Sequence, residues 1–425
     1  MLTADEWRSS YHNDSDLLNA LSAKLWAESG GGDLVLGPRT YLIDTPVILK
    51  TGVRLRGEGT VATCLRATPK LVGPVLISEN AFELLKADAW FHDEGVPVRF
   101  AVMDLCINAE DAALNDAPWS GCGVFLYGKG FEFRGIEVIN AKRHGIVSTG
   151  SLRGGQKSWK DEPEAIFDVR VSGCGGDGFL MRGPHDSVIH QAIIARCKGR
   201  GLAVECSDKF NGACDIDFCH AYATDSIAID LAAKVKAGFL QGDTGRGSGV
   251  RIAGSNKTYI DRVECFKTRG GSEEFALDIN AVYTQIGLAR VRADWGSAGV
   301  HIRGKGTQIG LLDIDGRRNT GGPKADTDND TTGLYVSANF VQLPAVNVRN
   351  FSKGKGILIA DGTRGANISG VTESCYQHIV AEDMHGCDLK FDSLLAANES
   401  NLIKSKAMDR VNIRERQGGK ITLVH

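Results

Sequence analysis

An all-β chain wound as a parallel β-helix is what this sequence predicts, on three observations. Segments reading Gly-apolar-any-apolar recur with starts at Val124, Ile146, Phe179, Leu202, Ile227, Val250, Ala276, Val300, Leu334, Ile357, Ile379 and Leu402. That is a repeat of about 23 residues with two intervals about 11 longer, the sequence mark of stacked supersecondary units. Each period holds a second alternating run, such as FEFRGIEVIN, EAIFDVRVSG or QIGLLDIDG, so two or three short strands fit per period with no room for a helix. Third, 52 glycines against 10 prolines favour many tight corners over a disordered or collagen-like chain. Leucine-rich repeats would show a Leu/Asn ladder, and tetratricopeptide or ankyrin repeats would show helical spacing; neither is present. The expectation is about 12 coils, each a rung of one stack.

Composition narrows the class. The 425 residues are 42% hydrophobic, enough for a large core, and the net charge of −3 with no basic stripe speaks against a nucleic-acid partner. No run approaches the roughly 20 apolar residues of a membrane span, and the first residues, MLTADEWRSS, are polar without an apolar signal core. The expected localisation is synthesis in the cytoplasm without a signal peptide, with action outside the cell after release. Eleven cysteines without a CxxC pair point to reduced thiols rather than disulfides or a zinc site. Cys174 and Cys197 fall at the same place in successive coils, beside Ala141, which suggests an inward ladder of small residues. No metal or other cofactor is expected.

Taken in order, residues 1–30 read as an N-terminal segment and 31–425 as a single β-helix domain, with loop excursions near 85–120, 149–165 and 316–333. Residues 14–28 place Leu17, Leu18, Leu21 and Leu25 at helical spacing, the pattern of a cap over an open sheet end. The run GGGDLVLGPRTYLIDTPVILKTGVRLRGEG (30–59) then opens the short strands, and RVNIRERQGGKITLVH closes the chain with charges interleaved among the last ones.

This opening, DSDLLNALSAKLWAESGGG followed by GPRTYLI and LRGEG, resembles the start of the pectate-lyase-like right-handed β-helix superfamily, which includes phage tailspike depolymerases. The resemblance covers nearly the whole chain and implies a polysaccharide partner, a homotrimer and possible service as a virion or tail component. It assigns no catalytic residue. RGPHDSVIH (182–190) is similar to the Asp-Pro-His segment of mannuronan epimerases, but Gly183 stands where their Asp would be. The polygalacturonase hallmarks are absent.

In a solid β-helix the interior is packed, so chemistry belongs on outward side chains and loops. Alternation makes the second and fourth positions of each repeat outward. In the middle coils these columns bring Glu205, Asp230 and Asp278 onto one face as candidate catalytic carboxylates, with Glu205 and Asp230 expected on adjacent rungs and Asp230 and Asp278 two rungs and one column apart. Arg251, His301, Arg303 and Tyr335 are the candidate substrate-binding residues of that face, together with Trp159 from the 149–165 loop, whose indole offers a flat apolar surface to a sugar. Paired carboxylates suit glycoside hydrolysis, retaining or inverting according to their separation. Arginines beside His301 or Tyr335 suit β-elimination from a uronate, and the residues do not choose between the two. Solvated cross-strand ion pairs are the competing explanation. A second outward column, Glu137, Arg170, Asp217, Glu264, Arg292, Asp313 and Asn347, alternates acids with arginines, so ion-pair ladders are its first explanation. Asp215, Asp217 and Asp313 are second-choice catalytic residues. DTDND (326–330) lacks the Gly and distal Glu of an EF-hand loop and reads as a solvated acidic loop.

The functional expectation is an enzyme, a polysaccharide hydrolase or lyase acting on a bacterial surface or extracellular glycan. The alternatives are a non-catalytic glycan-binding virion or surface protein, and a fructan or uronan transferase or epimerase on the same fold.

Overall fold

A helix starts the stack and closes its first edge. In the computed structural model it spans Asp14–Ser29, with Asn13 accepting a hydrogen bond from the Asp16 amide at 2.8 Å and Gly30 ending it in the left-handed region at φ 67°. Its buried face is Leu17, Leu18, Leu21 and Leu25, as the spacing predicts. Polar side chains do the rest. The amides of Leu42, Asp44 and Ile48 donate to Asp14 Oδ2, Ser15 Oγ and Asn19 Oδ1, each at 2.8 Å. An exposed sheet edge would offer those groups to another chain, and the helix satisfies them instead.

The structure describes residues 1–86, 95–116, 119–149, 164–206, 213–244, 246–254, 257–267, 274–294, 297–316, 331–381, 384–394, 400–404, 410–415 and 420–424. They form an all-β parallel solenoid of about 13 turns with few helices, divided into two compact units, Met1–Thr224 and Asp225–His425.

In the first unit each regular turn carries one longer and one shorter strand. The longer strands, Ala101–Asn108, Glu132–Ile139, Ile166–Ser172, Ser187–Ala195 and Ala213–Thr224, pair in parallel in that order. The shorter ones, Leu76–Ser78, Val124–Leu126, Ile146–Thr149, Phe179–Arg182 and Leu202–Glu205, do the same. Between them lies a ring-rich core, in which Phe167 of a longer strand meets Phe179 of a shorter one at 4.7 Å. The glycine that opens each repeat is required by space rather than by turn conformation. A Cβ on Gly178 would sit 2.9 Å from Cys197 Sγ and 3.0 Å from the Gly201 carbonyl oxygen of the next rung.

The cysteines are free. Cys174 and Cys197 are both 1% exposed and continue a turn ladder from Ala141. Burial and a hydrogen bond to Cys197 push the Cys174 thiol up.

The first unit corrects the rule that second positions face solvent. Phe125, Val147, Leu180 and Ala203 point outward in register, yet none is more than 1% exposed. Described residues between the first and second of these short strands pack over Phe125 and Val147. Phe82, on the helix Ala81–Lys86, stacks on Phe125 at 4.9 Å, and Trp119 approaches Phe125 at 5.2 Å. Of residues 85–120, Ala101–Asn108 is a rung strand rather than part of the cover.

In the second unit the longer strands run Lys234–Thr244, Tyr259–Lys267, Gln285–Ala293, Gln308–Asp315, Gln342–Arg349, Asn367–Glu373, Asp388–Leu394 and Arg410–Glu415. The shorter ones run Ile229–Ala232, Val250–Ile252, Phe275–Ile279, Ala298–Ile302, Thr332–Val336, Lys355–Ile359, Gln377–Ala381, Ser400–Lys404 and Lys420–Val424. Their inward positions, such as Val250, Leu277, Val300 and Leu334, are fully buried. No helix among the described residues is long and apolar enough to cross a membrane.

Candidate functional site

The short strands of the second unit carry an outward column of functional side chains. Asp230, Arg251, Asp278, His301, Tyr335 and Leu358 are register partners on successive rungs. Each step is about 4.8 Å. Two strand starts differ from the repeat alignment: Ile229, not Ile227, stands level with Val250, and Leu277, not Ala276, follows it. Residues 225–228 form the bend entering the strand, which absorbs the extra length of that period. Asp230 therefore shares a column with Asp278 instead of lying one column away, and Arg251 stands between them.

Both aspartates are held by arginine forks. Arg251 Nε and Nη2 donate to Asp230 Oδ1 and Oδ2 at 2.8 and 2.7 Å. Arg303, from the rung after Asp278, donates Nε to Asp278 Oδ1 at 3.2 Å and Nη2 to Oδ2. Asp230 is 1% exposed and Asp278 8%, whereas the two arginine side chains are 39% and 43% exposed. The face thus presents guanidinium groups over buried carboxylates, the bidentate geometry that Arg supplies and Lys does not.

His301 lies next in the column. Its ring stacks on Tyr335 at 4.5 Å and meets Phe275 at 4.7 Å, and Nε2 is 2.9 Å from Ser337 Oγ. Burial pushes the imidazole down to about 4, Arg303 acts in the same direction, and Asp278 opposes them. At neutral pH the ring is uncharged, with one donor and one acceptor nitrogen. Phe275 and Ser337 were absent from the sequence-derived candidates. Phe275 lies two residues before Leu277, and its place beside His301 follows only once the register is known.

Glu205 belongs to the first unit. Its rung partner there is Arg182, whose Nε lies 3.0 Å from Oε2, and Arg200 Nη1 lies 2.8 Å from Oε1. Arg200 also holds Asp177 at 2.8 Å. Trp159 and the DTDND loop lie outside the described residues.

The second expected column is redrawn in both units. A bulge between Phe167 and Asp168 shifts the pairing, so Arg170 stands level with Ile193 and then His220, not with Asp217. Asp217 meets His190 Nδ1 at 2.8 Å on an exposed face, and Asp215 projects from the same strand. In the second unit the column reads Glu264, Arg290, Asp313 and Asn347; Arg292 pairs with Phe266 and Asp315 instead. Asp313 accepts from Asn347 Nδ2 at 3.0 Å and Arg349 Nη1 at 2.8 Å. Among the described residues no group of three or more His, Cys, Asp or Glu side chains is placed to hold a metal ion.

No protein-family model matches the chain, and no curated protein sequence does. Solved structures do. Pre-mature bacteriophage phi29 gene product 12 matches with a TM-score of 0.65 at 13% identity, over 99% of this chain and 56% of that one. The A-module of Azotobacter vinelandii mannuronan C-5 epimerase AlgE4 matches with a TM-score of 0.44 at 14% identity, over 95% and 100% of the two chains. DFA-IIIase from Arthrobacter chlorophenolicus A6, in complex with GF2, gives 0.41 at 12% identity, over 97% and 93%. The chain spans little more than half the length of the phage protein. The likeness is one of fold, a parallel β-helix, and the structures matched are phage proteins and carbohydrate-active enzymes.

Proposed function

We propose that the protein is a polysaccharide-degrading enzyme acting on a bacterial surface or extracellular glycan, with its chemistry on the short-strand face of the second unit. One observation carries this reading: Asp230, Arg251, Asp278, His301 and Tyr335 share a single outward column, with Arg303 folded back onto Asp278. Asp230 and Asp278 are the acid and base pair. Two rungs separate their backbones by roughly 10 Å, which side chains shorten toward the spacing of about 6.5 to 9.5 Å that admits a water in inverting hydrolysis. Incoming sugar hydroxyls compete for Arg251 and Arg303, and the half-exposed rings of His301 and Tyr335 offer a wall for a pyranose. Glu205, with Asp215, Asp217 and Asp313, is reserved for a site of its own should this pair prove inert.

A second reading is a uronate lyase. The neutral imidazole of His301 beside Arg303 favours it, because proton abstraction needs an unprotonated base near a group that binds the uronate carboxylate. The fold shared with a phage protein supports a virion-associated homotrimer, which sedimentation of the purified protein tests directly.

The deciding experiment incubates wild type, Asp230→Asn and Asp278→Asn with capsular, exopolysaccharide and O-antigen preparations. New reducing ends identify hydrolysis, and absorbance of unsaturated uronate identifies elimination. Each variant is expected to lose about 10²- to 10⁴-fold in rate. Unchanged turnover in both variants with folding intact would remove the assignment.

A further inference from the structure

The long-strand sheet of the second unit holds a feature that the acidic face does not use. Tyr259, Gln285, Gln308, Gln342 and Asn367 are register partners on successive rungs, an aromatic followed by a row of amides. The first four border a groove of about 380 Å³ whose other lining residues include Asp261, Gly287, Gly310 and Pro344. Stacked amides commonly bond to one another along a β-helix, but the side chains of Gln285, Gln308 and Gln342 make no hydrogen bond to any described residue. Their donors and acceptors face the groove or solvent.

The floor is bare for a structural reason. A Cβ on Gly287 would lie 2.7 Å from the Asp261 carbonyl oxygen, and one on Gly310 would lie 2.8 Å from that of Gly287, so the coil itself demands glycine there. The consequence is close access to backbone beside the amide row. Tyr259 is 40% exposed, and the corners just before Gln285 and Gln342 present Tyr283 and Phe340, 47% and 51% exposed. The groove lining contains one carboxylate and no cation, and Lys305 lies beyond it, 5.4 Å over the Phe340 ring.

We infer that this groove binds a neutral, hydroxyl-rich saccharide chain lying along the rungs. A primary amide offers a donor and an acceptor side by side, the match for two vicinal hydroxyls. The rung spacing of about 4.8 Å is close to the length of one pyranose ring, so successive amides meet successive sugars. The aromatics take the apolar faces of the rings. Within the groove lining an acidic glycan finds Asp261 and no counter-charge. The inference does not rest on the activity proposed above.

Calorimetric titration with cellohexaose, maltohexaose and laminarihexaose tests it, with hexagalacturonate as the acidic comparison. At least one neutral hexasaccharide binds wild type, and Gln308→Ala and Gln342→Ala each weaken that binding by roughly tenfold, the loss of one or two neutral hydrogen bonds. Tyr259→Ala weakens it as well, while Asp230→Asn leaves it unchanged. No binding by any neutral hexasaccharide, binding indifferent to both glutamine substitutions, or preferred binding of hexagalacturonate would overturn the inference. Both glutamines are surface residues, so circular dichroism of the variants is expected to match wild type.

Discussion

His301 gives the sharpest physical prediction, because its environment makes a signed statement about pH. The ring's ordinary value of 6.5 falls to about 4 in the folded chain, chiefly by burial. Between those limits the unfolded chain binds a proton that the folded chain does not. Stability is therefore fully present above about 6.5, declines as pH falls through the window, and levels off below about 4. A shift of this size corresponds to about 3 kcal/mol for a fully enclosed ring, and the solvent reaching a half-buried one reduces that to about 1 to 2 kcal/mol. The perturbation is His301→Gln, which cannot titrate here but keeps a donor near Ser337. Urea unfolding midpoints from neutral pH to about pH 4 are expected to fall more for wild type than for the variant, by that amount. The imidazole proton resonance of His301 should titrate well below 6. A resonance titrating near 6.5, or parallel losses of stability in the two proteins, would refute the reasoning.

Arg251→Ala removes both fork bonds to a 1% exposed carboxylate and is expected to cost about 2 to 4 kcal/mol. In a double-mutant cycle with Asp230→Ala, thermal unfolding should show a coupling above about 1 kcal/mol, and a value near zero would mean the pair is not energetically linked. Asn19→Ala deletes the bonds to Pro46 and Ile48 at the first edge, and loss of about 1 to 3 kcal/mol in urea unfolding is expected, with faster amide exchange at Ile48. Gly178→Ala forces a methyl against Cys197 Sγ and the Gly201 carbonyl; about 1 to 3 kcal/mol or a loss of soluble protein is expected, and wild-type stability would contradict the close packing.

The fold was legible because its period is set by local chemistry. The Gly that starts most repeats, such as Gly145 and Gly178, is fixed by a neighbour one rung away, and Leu17, Leu18, Leu21 and Leu25 mark the cap by helical spacing alone. The site was legible only in part. Alternation sorted Asp230, Arg251, Asp278, His301 and Tyr335 to the outside, but a period says nothing about where its extra residues go. At 225–228 they lengthen a bend and move Asp230 across to the column of Arg251; His190 is an extra residue opposite Phe167 and Asp168, and Arg170 stands level with Ile193 and His220 rather than Asp217. The Arg251 fork on Asp230 follows from the first of those shifts, so it was out of reach of spacing alone.

The outward column of the short strands shows what decides whether such a face is core or surface. In the first unit it reads Ile77, Phe125, Val147, Leu180 and Ala203, a continuous apolar stripe. Left bare, that stripe would be an association hazard, and Phe82 and Trp119 cover part of it. In the second unit the corresponding position reads Asp230, Arg251, Asp278, His301 and Tyr335, which need partners rather than a lid and find them in Arg303, Ser337 and one another. The residues at that one strand position, taken rung by rung, thus mark the candidate site before any loop is considered: exposed arginines over the buried Asp230 and Asp278. Exchanging His301 or Tyr335 for leucine would extend the apolar pattern into the polar face, and the expected result is self-association without loss of the rungs beneath.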